Sequence, residues 1–168
     1  VARIIKSELR DPNVMIAVVL SAMGGKPKTT DMLIETVEAA AERDTTRVDE
    51  LLAAILHKHQ TCLKSLFPKK YNRLLGIINE DISNIRDILK TVSLMKWPAA
   101  RIREAVSGYG ELWSTQILQQ LLDGHDNKFM YLDARELIII DEEAIYDGAV
   151  VWETCMDNLK NLYTTSTH

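Results

Sequence analysis

The chain has 168 residues, 46% of them hydrophobic and 26% charged, with a formal net charge of −4, the make-up of an ordinary globular domain long enough for a real core. Charge is uneven: residues 1–30 sum to about +3 and residues 126–168 to about −6, which argues against a nucleic-acid surface as the main role. Two cysteines, Cys62 and Cys155, are too few for a disulfide framework, nothing with zinc-type spacing accompanies them, and no apolar run approaches the roughly 18 residues that span a bilayer.

Residues 2–10 read as an amphipathic helix rather than a signal or transit peptide, so the chain is expected to begin inside a domain. Val14-Met-Ile-Ala-Val-Val-Leu20 is an uninterrupted apolar run closed by the small residues of Ser21-Ala-Met-Gly-Gly25. That is the pattern of a strand buried on both faces of a parallel sheet, and ligands gather at the carboxyl ends of such strands. A loop over 21–29 leads to a helix from Thr30 to Arg43, with Thr29 and Thr30 as N-cap candidates and Asp31 complementing the helix dipole. Strand, turn and helix together predict an α/β layer.

From about 45 to 105 the pattern is helical throughout. Val48, Leu52, Ile55 and Leu63 mark a helix over 46–66, and Phe67-Pro-Lys-Lys70 is a connection suited to an antiparallel pair. Its partner spans 72–94, where Ile78, Ile82, Ile85, Leu89 and Val92 form one narrow apolar seam. Pro98 restarts the chain in a short helix over 99–106, a further helix runs to Asp123, and Gly124 reads as its stop. Lys128-Phe-Met-Tyr-Leu132 and Leu137-Ile-Ile-Ile140 are predicted strands bridged by Asp133-Ala-Arg-Glu136, and a last helix covers 147–163. The expected fold is α/β, a layered and mostly parallel sheet with a largely helical insertion at about 45–105, all within a single domain over 1–168.

The chemistry concentrates in Ser107-Gly-Tyr-Gly-Glu-Leu-Trp-Ser-Thr-Gln116, where a Gly-x-Gly turn delivers Glu111 into the first turn of an amphipathic helix. A carboxylate there suits an amino group, and it also suits the positive end of a helix dipole with no ligand at all. Ser21, at the end of the apolar run, and Thr30, at the next helix start, carry hydroxyls suited to carboxylate or phosphate oxygens. Capping and turn chemistry are the alternative for both.

Val18-Val-Leu-Ser-Ala-Met-Gly24, Thr30-Asp-Met-Leu33, Gly108-Tyr-Gly-Glu-Leu-Trp-Ser-Thr115 and Tyr131-Leu-Asp-Ala-Arg-Glu-Leu137 together resemble the aspartate kinases of the amino-acid kinase family. The Trp after Glu-Leu is most similar to the kinase half of bifunctional aspartokinase/homoserine dehydrogenases. The resemblance implies ATP-dependent phosphorylation of the L-aspartate side-chain carboxylate to 4-phospho-L-aspartate, the first step of lysine, threonine and methionine biosynthesis, with ATP and Mg²⁺. It implies that Glu111 recognises the substrate ammonium and that Ser21 and Thr30 line the aspartate pocket. It further implies a homo-oligomer in the full-length enzyme and a cytoplasmic or plastid location, with no nucleic-acid or membrane partner. The family's Lys-Phe-Gly-Gly-Thr-Ser opening motif and its Gly-Arg-Gly-Gly-Ser-Asp motif are absent, so the chain is expected to represent the middle of such a domain. Gly24-Gly-Lys-Pro-Lys-Thr-Thr30 is also longer and more basic than the family's turn, which leaves Thr29 as a rival to Thr30.

Other groups point elsewhere. Lys26 is followed by Pro27 and lacks the upstream glycine of a Walker A loop. It and Lys28 read as solvated, or as lysines near ATP phosphates. His57, His59 and Cys62 do not share a helix face as two-histidine metal ligands do. Lys64, Lys69, Lys70 and Arg73 read as a solvated rim, and Asp133 with Arg135 as a structural ion pair. The alternative functions are a related amino-acid or nucleotide kinase and a non-catalytic domain that works by binding another chain.

Overall fold

A computed structural model describes residues 1–8, 16–95, 100–123, 129–141 and 149–166. Eight helices are formed among them: α1 (Ala2–Glu8), α2 (Thr29–Ala41), α3 (Thr45–Leu66), α4 (Asn72–Met95), α5 (Ala100–Ser107), α6 (Tyr109–Asp123), α7 (Ala134–Leu137) and α8 (Trp152–Ser166). They fall into two compact units, Val1–Phe129 and Met130–His168. Among the described residues no helix is long and apolar enough to cross a membrane.

The first unit is a helical bundle built on α2. That helix buries Met32, Leu33, Thr36, Val37, Ala39 and Ala40 and packs against α3, α4, α5 and α6. The Thr36 hydroxyl, buried among apolar neighbours, donates to the Met32 carbonyl one turn back at 2.6 Å, which removes the cost of an unmade bond. At the corner into α3, Arg43 takes the left-handed conformation with φ 64°, and its N–H bonds to the Ala40 carbonyl while that of Asp44 bonds to Ala39. The chain turns there much as glycine-capped helices do, with arginine in the glycine position. The Asp44 carboxylate then accepts the Arg47 N–H at 2.9 Å and caps α3.

On α3 the buried stripe is Val48, Leu51, Leu52, Ile55, His59 and Leu63, and on α4 it is Leu74, Ile78, Ile82, Ile85, Leu89 and Val92. The two stripes meet, and the seam read from the sequence is the seam that is buried. Exposed pairs such as Arg86 with Asp49 at 3.1 Å join the helices at the rim, where ion pairs add little.

Among the described residues the expected α/β sheet is not present, and the expectation must be corrected. Among the described residues there is no strand, only one isolated antiparallel bridge between Ile140 and Val150. Residues 16–20 of the apolar run form no strand or ladder with any described residue, and Val19 is 95% exposed. A strand buried in a parallel sheet needs neighbours on both sides to satisfy its N–H and C=O groups, and the surrounding elements of this unit are helices. Helices α3 and α4 are therefore not an insertion on a sheet; with α2, α5 and α6 they build the core itself.

Likewise, residues 129–132 form no ladder, and Leu137 closes α7 instead of opening a strand. In the second unit, Val151 N–H bonds to the Ile139 carbonyl at 2.9 Å and Asp141 N–H to the Ala149 carbonyl at 3.0 Å, an antiparallel contact made by residues 149–151, which were expected in the last helix; that helix begins at Trp152. Helix α8 buries Cys155 beneath Ile139, whose N–H lies 3.2 Å from the sulfur. The ends predicted at residues 9–10, at 99, at Gly124 and at 147–148 lie outside the described residues.

Candidate functional site

The three residues singled out from sequence lie on elements that converge in the first unit. The convergence is made by Gly110. A Cβ on that residue would stand 2.7 Å from the Ala22 side chain, 3.4 Å from Thr29 and 3.5 Å from Leu33, so the first turn of α6 touches both the turn after Ser21 and the start of α2. Only glycine allows that approach. We expect Gly110→Ala to cost about 1–3 kcal/mol through overpacking, read as a lower urea midpoint; an unchanged midpoint would mean that the turn at Ala22 yields freely.

A second tie runs through Ser114. Its hydroxyl lies 2.7 Å from the Ser21 carbonyl and 2.6 Å from the Glu111 carbonyl; with one proton it donates to one of them at a time. The backbone of Ser21 is thereby linked to α6, while the Ser21 residue is exposed. Thr30 is partly exposed at the start of α2, where the N–H groups of a first turn have no intrahelical acceptor.

The expected N-caps are corrected. The N-cap position belongs to Lys28, which makes no side-chain cap bond, and Thr29 is already helical and fully buried. The Thr29 hydroxyl donates to the Met23 carbonyl at 2.9 Å. A hydroxyl committed in this way closes the turn and is not offered to a ligand, so of the two threonines it is Thr30 that faces outward. Lys26 and Lys28 are exposed.

Glu111 stands in the first turn of α6, and its Oε2 is buried with no hydrogen-bond partner among the described residues. Dipole complementarity alone needs no buried oxygen, because an exposed carboxylate serves equally well. A buried acceptor with nothing donating to it is costly unless a donor arrives, and a cationic N–H donor makes the strongest such bond.

Behind Glu111 the helix is fixed by Trp113, which is fully buried. Its indole N–H donates to an Asp81 carboxylate oxygen at 2.8 Å. Its ring meets His59 edge-on, with centroids 4.9 Å apart, and Tyr109 at 5.8 Å. These contacts link α3, α4 and α6 directly behind the site. Sequence reading missed Asp81 and His59 as supports; the Trp after Glu-Leu was the visible half of the signal.

His59 is fully buried, with Nδ1 2.8 Å from the Ile55 carbonyl. The carbonyl can only accept, so Nδ1 carries the proton and Nε2, which has no partner among the described residues, carries the lone pair. Burial holds the imidazole pKa below its usual value; the Ile55 bond opposes this and the Lys58 charge adds to it. A lowered folded pKa means that the unfolded chain binds the proton first. This group therefore costs nothing well above about pH 6.5, and stability falls as pH drops from there toward the folded pKa. In urea titrations below about pH 6.5, wild type should lose more stability than His59→Gln; parallel losses would contradict the assignment. His57 is exposed on the opposite face and Cys62 is half-buried, its thiol pKa raised by burial.

Lys64, Lys69, Lys70 and Arg73 are exposed, and the Lys64 ammonium lies 6.0 Å from the centre of the Tyr71 ring. In the second unit, Arg135 binds both carboxylate oxygens of Asp133, the shortest contact being 2.6 Å. Asp133 also accepts the Arg135 backbone N–H as the cap of α7, and the Arg135 guanidinium is the main reason its pKa lies below the usual range.

No family model matches the chain, and no solved structure matches it. Curated proteins do. The bifunctional aspartokinase/homoserine dehydrogenase 1 of Zea mays, a chloroplastic protein, is 31% identical over 134 residues, covering 79% of this chain and 14% of the relative. Its namesake from Arabidopsis thaliana is 28% identical over 133 residues, again 79% of this chain and 14% of the relative. Aspartokinase 1 of Arabidopsis thaliana, also chloroplastic, is 28% identical over 153 residues, 90% of this chain and 26% of the relative. The chain thus spans about a seventh of the bifunctional relatives and about a quarter of the monofunctional one. Its homologues are aspartokinases, alone or joined to homoserine dehydrogenase, and the chain holds an aspartokinase-like domain.

Proposed function

We propose that the chain contributes the amino-acid-binding part of an aspartate kinase, which phosphorylates the side-chain carboxylate of L-aspartate with ATP. The buried, unpartnered Oε2 of Glu111 carries this reading, because it asks for a cation at the point where the Ser21 turn and the first turns of α2 and α6 meet. In this reading Glu111 accepts from the substrate ammonium, and Ser21 and Thr30 supply hydroxyls to its carboxylate oxygens. A side-chain carboxylate oxygen of aspartate then attacks the terminal phosphorus of ATP, the bond to the ADP oxygen breaks, and 4-phospho-L-aspartate and ADP leave. Such a transfer asks the protein mainly to position two anions and to balance charge.

Among the described residues no group of three His, Cys, Asp or Glu side chains could hold a metal ion. In this reading Mg²⁺ arrives with ATP as the counter-ion of its phosphates, and the binding argument does not depend on it. The product would feed lysine, threonine and methionine synthesis, in a plastid if the chain shares the location named for its relatives, otherwise in the cytoplasm. Full-length assembly would be homo-oligomeric.

A second reading, binding of another chain without catalysis, is favoured by α8, where Trp152, Met156 and Leu159 are exposed at helical spacing. The two readings separate when the protein is incubated with Mg²⁺-ATP and L-aspartate and acyl phosphate is trapped with hydroxylamine. Aspartate-dependent hydroxamate, absent with glutamate or UMP, supports the kinase. Folded protein that forms no product and elutes with a partner supports the second reading.

A further inference from the structure

Lys58 lies in the middle of α3, between an exposed and a buried histidine, in a stretch with no motif to draw attention to it. Its ammonium nevertheless reaches the turn that precedes α2. It donates to the Pro27 carbonyl at 2.7 Å and approaches the Met23 carbonyl at 3.4 Å. Gly25 crosses over the same side chain with φ +106°, and a Cβ there would stand 3.6 Å from the nitrogen and 3.8 Å from the neighbouring carbon. The turn is wrapped over one lysine.

The Met23 carbonyl also receives the Thr29 N–H at 3.3 Å and the Thr29 hydroxyl at 2.9 Å. Two donors already use its two lone pairs, so Lys58 adds charge at that point, while at Pro27 it adds a full hydrogen bond. These carbonyls lie 35 and 31 residues from Lys58 in sequence, so the contact binds α3 to the turn that carries Ser21 and leads to Thr30. Through Gly110 the same turn rests on the first turn of α6, where Glu111 stands.

We infer that Lys58 is a positioning residue for this site: by holding the Met23–Lys28 turn closed over its side chain, it sets the start of α2 against the first turn of α6. The long, basic Gly24-Gly-Lys-Pro-Lys-Thr-Thr30 segment then has a physical reason to be ordered. Four residues of open turn would otherwise cost backbone entropy each time a ligand is bound, and an ammonium beneath two carbonyls removes that cost in advance. The consequence for L-aspartate rests on the kinase reading; the closure of the turn does not.

The test compares wild type, Lys58→Met and Lys58→Arg. Methionine keeps the apolar stem and removes the charge, and the arginine fork can again donate to both carbonyls. Hydrogen exchange at the buried Thr29 N–H, which closes the turn onto the Met23 carbonyl at 3.3 Å, is expected to quicken about tenfold in Lys58→Met, with the interior amides of α2 unchanged and most protection restored in Lys58→Arg. In calorimetric titration L-aspartate should bind about tenfold more weakly to Lys58→Met than to wild type, and arginine should recover it. Unchanged exchange in the turn overturns the inference, as does unchanged aspartate affinity despite faster exchange. If wild type binds no aspartate while the turn still loosens in Lys58→Met, the kinase reading fails and the closure stands.

Discussion

Replacing Glu111 by alanine is expected to weaken L-aspartate binding by about 10- to 150-fold, the range spanned by one hydrogen bond to a charged group, and to leave the fold intact. Two opposed terms keep stability level. Alanine removes a carboxylate from the first turn of α6, worth about 0.3–1 kcal/mol against the dipole, and also removes the buried oxygen that no described group satisfies. Glu111→Gln separates charge from shape, since it can still accept a hydrogen bond but no longer pairs with a cation; its affinity should fall between those of wild type and Glu111→Ala. Isothermal titration with L-aspartate, run beside thermal unfolding, reads both quantities. Equal affinity in all three proteins would return Glu111 to the role of a helix-start acid. A large fall in midpoint would say instead that its buried oxygen is held by a partner within the chain.

The largest loss of stability is expected at Trp113. Trp113→Ala should cost about 3–5 kcal/mol, a large part of the 5–15 kcal/mol that holds a typical domain together. The indole is fully buried, and three helices lose a shared surface when it goes. Trp113→Phe keeps most of the ring and removes the donor to Asp81; it should cost about 1–3 kcal/mol, the value of one hydrogen bond to a charged group. Urea unfolding measures both, and the order matters more than either value. If phenylalanine proves as damaging as alanine, the Asp81 bond rather than the ring contacts with His59 and Tyr109 is what fixes α6. If neither costs more than about 0.5 kcal/mol, the value of an ordinary surface change, the seam behind Glu111 is not assembled as described.

How much of this was legible in the sequence differs from element to element for physical reasons. Ile78, Ile82, Ile85, Leu89 and Val92 announced both a helix and its buried face, because helical periodicity is written within a few turns of chain, and all five are buried. The run ending at Leu20 carries no such period. Its apolarity says that burial is favourable but not by what, since a sheet exists only if distant segments supply neighbours. Residues 16–20 have none among the described elements. Thr29 misled for a related reason: a hydroxyl at a helix start usually caps, and this one closes a turn onto Met23 because the glycine-rich loop brings that carbonyl within reach. Glu111, Ser21 and Thr30 could be picked out as candidates from local patterns, yet the contacts made by Asp81, His59 and Lys58 could not. Each acts across more than thirty residues of chain, at a distance that only the packed bundle defines.

The contact at Gly110 also shapes what the chain can become. Gly24 and Gly76 have nothing within 4 Å of where a side chain would begin, so random substitution at either meets empty space. Gly110 meets Ala22 at once. In a saturation library the tolerated alphabet at position 110 should shrink to one letter, and it should widen only in backgrounds where residue 22 has itself become glycine. Two positions 88 residues apart would then drift as a pair, and a lineage could leave the present arrangement only by changing the loop before the helix.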